Sequence, residues 1–201
     1  MRFVPHWLVA IFAGLSICSL AAAQAAPAAQ SAAPAPAASA TSPEQAARSE
    51  AIQQFIEKNF GPDLKYDPAF APFVGDFDGD GEEDVILIAR GKNVMGAEGQ
   101  FQYRVQDPYD AYYGFGNARI MAQYTTGGPQ ERHFLVVHGW KLQTPKAKFV
   151  LVNVPFEQAA MSHATLKKKM VSAITTHEAA GLSALIFFDG KKYRWEPIGM
   201  D

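Results

Sequence analysis

Apolar and polar positions follow different rhythms along this chain, and each rhythm marks a different kind of element. Ala47, Ala51 and Phe55, flanked by Ile52 and Ile56, recur at helical spacing and form one apolar stripe. Ser42-x-x-Gln45 writes a capping box in front of it, Pro43 suits the first helical position, and Gly61-Pro62 stops it after Phe60. Pro72-Phe73-Val74 is a short extended piece. Val85–Ala89 is apolar at every position, the signature of a central strand covered on both faces. Phe134–Val137 and Phe149–Val152 share that character, and Met170–Thr175 is a weaker strand candidate. Near the end, Ala184–Phe188 and Lys192–Glu196 flank Asp189-Gly190, a turn pair that tolerates positive φ. Tyr193 and Trp195 face one way in that hairpin, while Lys192, Arg194 and Glu196 face the other.

These elements predict an α+β fold in which an N-terminal helix packs on a mainly antiparallel sheet that ends in a C-terminal hairpin. Gly91–Arg132 is a long aromatic-rich connection that is functional or hides elements of its own, with Arg119–Tyr124 a candidate strand. Pro155–Leu166 fits either a loop or one short helix.

The first 43 residues are different in kind. Arg2, the apolar run Trp7–Leu20 and the small residues Ala21–Ala23 give residues 1–23 the layout of a secretory signal peptide, too short for a membrane span. Residues 24–43 hold ten Ala and four Pro, a composition that reads as an extended linker. Residues 44–201 then form one domain. The expected location is exported, either periplasmic or secreted, with no transmembrane segment. The only cysteine, Cys18, lies in the leader, which excludes disulfides, thiol catalysis and cysteine-bound zinc from the mature chain. Leu15-Ser16-Ile17-Cys18 is loosely similar to a lipobox, but Ile17 stands where a small residue is wanted, so lipid anchoring at Cys18 is the lesser reading. Removal of Arg2 moves the net charge from −2 to −3, which argues against nucleic acid as a partner.

Candidate chemistry concentrates in Asp76-Phe77-Asp78-Gly79-Asp80-Gly81-Glu82-Glu83-Asp84, where six of nine residues are acids and none is basic. Two carboxylates about 4 Å apart repel by roughly 4 kcal/mol at an effective dielectric near 20. Two glycines and a following strand prevent the charges from spreading, so a hard divalent cation is the simplest remedy. From Val74 to Ile86 the stretch resembles the calcium loop of FG-GAP and VCBS-type repeats, which run D-x-D-G-D-G-x-x-D into a β-strand. The resemblance implies Ca2+ bound by carboxylates of Asp76, Asp78, Asp80 and Asp84, with a backbone carbonyl from Glu82. The chain is also similar to small exported bacterial domains that carry one such loop. A single copy forbids a propeller, which needs about four or more blades. It is not an EF-hand either, because Leu87 stands at the twelfth position where a Glu is required.

Other motifs are weaker. His138-Gly139-Trp140 is similar to an oxyanion-hole motif of α/β-hydrolases, but no G-x-S-x-G elbow accompanies it. His133 and His138 fall on opposite faces of one strand. His163 and His177 are isolated, and Lys167–Lys169 reads as an exposed charged edge. Asp107 and Asp110 lie among tyrosines that could pack over the sheet or stack on a saccharide. The functional expectation is an exported, calcium-stabilised binding module with structural metal, whose partner is an envelope macromolecule or glycan. The alternative is an envelope hydrolase acting on carbohydrate through segment 91–132, with Asp107 or Asp110 as the acid.

Overall fold

A computed structural model describes residues 42–115, 132–178 and 181–199. The capping box is present: Ser42 Oγ accepts from Gln45 N at 3.2 Å, and Gln45 Oε1 accepts from Ser42 N at 3.1 Å. Helix α1 (Pro43–Phe60) follows and ends at Gly61, whose φ of 101° favours glycine. Ile56, Asn59 and Phe60 are its buried residues, so the helix docks by its C-terminal half. The succeeding elements are β1 (Leu64–Tyr66), β2 (Phe73–Gly75), β3 (Asp84–Gly91), α2 (Val94–Phe101), β4 (Arg104–Gln106), α3 (Pro108–Tyr112), β5 (Arg132–His138), β6 (Ala147–Leu151), β7 (Gln158–Leu166), β8 (Lys169–His177), β9 (Ser183–Phe188) and β10 (Tyr193–Ile198).

The strands form two sheets. The larger runs β1-β3-β5-β6-β4, with β2 also paired to β3, and is antiparallel except for the β4–β6 pair. The smaller is an antiparallel meander, β10-β9-β8-β7. Val85, Leu87, Leu135, Val137 and Val150 point from the larger sheet toward Ile56 and Phe60 of α1 and toward α2. Ile86, Ile88, Phe134, Val136, Phe149 and Leu151 point the other way, onto Ile174, Ile186, Tyr193 and Trp195 of the smaller sheet. The larger sheet is therefore sandwiched, which is why its strands are apolar at every position. At about 25 cal/mol per Å² of apolar surface, this double burial is the main driving force for the fold.

The α+β architecture with an N-terminal helix and a C-terminal hairpin is as the sequence predicts, and the described residues form no propeller. Two details differ. The sheet is two sheets, and residues 158–166 are a strand, neither loop nor helix. Segment 91–132 does carry elements of its own (α2, β4 and α3), while the candidate strand Arg119–Tyr124 lies outside the described residues. No helix among the described residues is long and apolar enough to cross a membrane.

Lys167–Lys169 forms the tip of the β7–β8 hairpin. Leu166 pairs with Lys169, and the two turn residues, Lys167 and Lys168, have φ of 48° and 72°. Such two-residue turns favour Asn-Gly, because a Cβ is crowded at positive φ. Lys168→Gly should therefore stabilise the fold by about 0.5–1 kcal/mol, once the extra freedom of glycine in the unfolded chain is deducted. A urea titration should show a higher midpoint with an unchanged slope; a lower midpoint would refute the strain.

Candidate functional site

The acidic loop 76–84 joins β2 to β3 and lies at the junction of the two sheets. Its shape comes from its own carboxylates. Asp76 Oδ1 accepts from Gly79 N at 2.7 Å and from Asp80 N at 3.1 Å, and its Oδ2 accepts from Gly81 N at 3.0 Å. Asp78 Oδ1 accepts from Asp80 N, and Asp80 Oδ1 from Glu82 N. Gly79 has φ of 78°, and a Cβ there would lie 2.9 Å from Val171 Cγ1, so both backbone and space require glycine. Phe77 points into the inter-sheet core and is fully buried.

Asp84 closes the loop from its far end. It is wholly buried, accepting from Phe77 N at 2.9 Å and from Gly139 N at 2.8 Å. Burial pushes its carboxyl up to about 6, although both N–H bonds pull the other way. A third link reaches the smaller sheet, where Ser172 N of β8 donates to the Asp76 carbonyl at 2.8 Å.

Among the described residues, two groups of side chains could hold a cation. The ligand atoms of Asp76, Asp78 and Asp80 lie within 4.8 Å of one another, as do those of Asp78, Asp84 and His138. All four expected carboxylates thus fall into overlapping groups that share Asp78. The Glu82 side chain is exposed and belongs to neither. Burial raises the pKa of Asp78, with the Asp80 and Asp76 charges adding to the effect.

The sequence reading missed the partners supplied from afar. His138 Nδ1 lies 3.3 Å from Asp78 Oδ2, and its Nε2 is 2.7 Å from the hydroxyl of Tyr193, 55 residues away. A carboxylate can only accept, so pairing with ionised Asp78 assigns the ring proton to Nδ1 and leaves Nε2 to accept from the Tyr193 hydroxyl. Two lysines of the β5–β6 connection lean on the loop, Lys146 on Asp80 and Lys141 on Glu83. The Lys146 ammonium lowers the pKa of Asp80, and Asp80 in turn raises that of the lysine. The sequence singles out only His138, in the string His138-Gly139-Trp140, and Tyr193, on the packed face of the hairpin; neither lysine carries a signal of its own. His133, on the other face of β5, instead contacts the Gly91 carbonyl at 3.2 Å, as strand alternation requires.

The second candidate region behaves differently. Asp107 is the N-cap of α3: its Oδ1 accepts from Asp110 N at 2.9 Å and its Oδ2 from the Asn153 amide. One oxygen holds the helix backbone and the other the Asn153 side chain, and burial raises its pKa. Tyr109, Tyr112 and Tyr113 surround the buried Trp195 at centroid distances of 5.0, 5.2 and 6.0 Å. Tyr112 and Tyr113 are half exposed, and the Trp195 indole N–H has no partner among the described residues.

Comparison of the chain with family models, curated proteins and solved structures gives no match. The functional reading therefore rests on the geometry.

His138 makes the acid stability of the fold testable. Burial pushes its pKa down from 6.5 to about 4. Neutral His138 therefore stabilises the fold fully above pH 6.5, and that contribution is lost as pH falls toward 4. Asp84 has the opposite sign: its raised pKa favours the fold below about pH 4, and this is lost as pH rises through 6. In His138→Gln only the histidine contribution disappears, so its stability deficit against wild type should shrink by about 2–3 kcal/mol between pH 7 and pH 4.5. Denaturant titrations at the two pH values measure it, and a constant deficit would show that His138 is not buried neutral.

Proposed function

We propose that this chain is an exported binding module in which loop 76–84 holds a structural calcium ion and braces the junction of the two sheets. The observation that carries this reading is the convergence of the Asp76, Asp78 and Asp80 carboxylates within 4.8 Å, on a loop that its own hydrogen bonds already close. The donor set fits the ion. Ca2+ takes six to eight oxygen ligands, and Asp76, Asp78 and Asp80, with Asp84 and the Glu82 carbonyl, would supply them together with water. His138 is engaged at both ring nitrogens, which leaves an oxygen-rich set suited to a hard cation. The export step rests on residues 1–23, outside the described residues. The binding surface of this module is the half-exposed pair Tyr112 and Tyr113 over Trp195, which suits an envelope glycan through ring stacking. Asp107, held as a helix cap, gives the carbohydrate-hydrolase alternative less support.

Calcium at a hundredfold excess over its dissociation constant should add about 2.7 kcal/mol of stability and raise the melting temperature. Asp78→Ala should remove the response. If both proteins melt identically with and without excess calcium, the metal reading fails.

Tyr112→Ala/Tyr113→Ala should weaken glycan-array binding about tenfold, from the loss of two stacking contacts, while the calcium-dependent melt stays unchanged. Full retention of binding by this variant would place the ligand elsewhere.

A further inference from the structure

The β7–β8 hairpin presents a feature that soluble sheets normally avoid. Among the described residues, β7 is the last strand of the smaller sheet and is paired along all nine residues to β8 on one side only. Its free edge carries none of the usual protections. From Gln158 to Leu166 there is no lysine, no acid and no proline, and the three lysines lie at the hairpin tip, off the edge.

The direction of the free groups follows from β8. Ser172 N donates to the Asp76 carbonyl, so the Ser172 amide points away from β7. Its partner across the ladder is His163, which makes His163–Ser172 a non-hydrogen-bonded pair. By alternation, Ala159, Met161, His163 and Thr165 aim their N–H and C=O groups outward, while Ser162 is turned to β8.

We propose that this edge is a homodimer interface, in which β7 of one chain pairs antiparallel with β7 of a second copy about a two-fold axis at Ser162. The register is self-complementary. It sets Met161 opposite the partner's His163 and Ala159 opposite the partner's Thr165. With four outward residues on each copy, each giving one donor and one acceptor, eight inter-chain bonds form. Ala160 meets the partner's Ala164 and Ser162 meets the partner's Ser162, so no side chain clashes and no like charges oppose. The same axis brings the exposed Glu157 end of one strand to the Lys167–Lys169 tip of the other, so the ends attract. A two-fold pairing of this kind closes on itself and joins two four-stranded meanders into one eight-stranded sheet. An unrelated strand could use the same main-chain groups, but the neutral middle and oppositely charged ends favour a second copy of this chain.

Cysteine cross-linking reads the register directly, because the mature chain has no cysteine of its own. In a full-length chain carrying Cys18→Ser, Ser162→Cys places two sulfurs across the axis on Cα atoms about 4.5 Å apart, within disulfide reach. Ala160→Cys places them on residues four positions apart in the ladder, out of reach. Sedimentation should give a dimer for wild type, and oxidation should link the position-162 variant and not the position-160 variant. His163→Pro removes an outward N–H without touching the β8 ladder and should yield monomer. Glu157→Lys, an exposed change that leaves the fold intact, should weaken the dimer about tenfold. Wild type that is monomeric across the micromolar range, equal cross-linking at positions 160 and 162, or unchanged association of Glu157→Lys would each overturn the proposal.

Discussion

The buried carboxylate of Asp84 is the point on which the junction of this molecule depends. It is the first residue of the central strand and is closed to solvent. One oxygen holds the amide of Phe77, and the other holds the amide of Gly139, 55 residues further on. The acidic turn and the β5–β6 turn are thereby fixed to each other before any other group in the loop is considered. A buried donor left without its acceptor costs about 1–3 kcal/mol, and Asp84 satisfies two. Phe77 follows into the inter-sheet core, so the position of the smaller sheet is set from the same place.

Charge balance in the loop is shared among several elements. Lys146 and Lys141 approach Asp80 and Glu83 from the β5–β6 connection, and His138 offers its ring proton to Asp78. The lysine pairs are largely exposed, and such pairs contribute little each. They temper the repulsion without removing it, since Asp76, Asp78 and Asp84 gain no full positive charge from them. The proposed cation thus shares Asp80 with Lys146, while Lys141 acts apart from it on Glu83.

How much was legible follows from how each element is buried. Strands β3, β5 and β6 are covered on both faces, so every residue is apolar and the pattern is unmistakable. Strand β7 is exposed at its edge and on most of its surface, and its Ala, Ser, Thr and His residues carry no hydrophobic rhythm; nothing local distinguishes it from a loop. The Lys167-Lys168 turn was hidden for a related reason, because such turns are recognised by Asn or Gly and here lysines occupy the strained positions. At the site, the spacing of Asp76, Asp78, Asp80 and Asp84 was readable because the loop is local. His138 and Tyr193 were not, because their approach to Asp78 depends on the stacking of two sheets. Asp107 was readable as an acid near aromatics, but only its bonds to Asp110 and Asn153 identify it as a helix cap.

The three amide bonds to Asp76 carry one more consequence. A loop that had to be gathered by an incoming ion would lose backbone entropy of about 1–2 kcal/mol for each residue it ordered. Here that ordering accompanies folding of the chain. Capture of a cation then becomes a contest between carboxylate oxygens and the ion's own hydration shell, with little backbone movement. A site built in this way would discriminate by how reluctantly an ion sheds water, which separates magnesium from calcium.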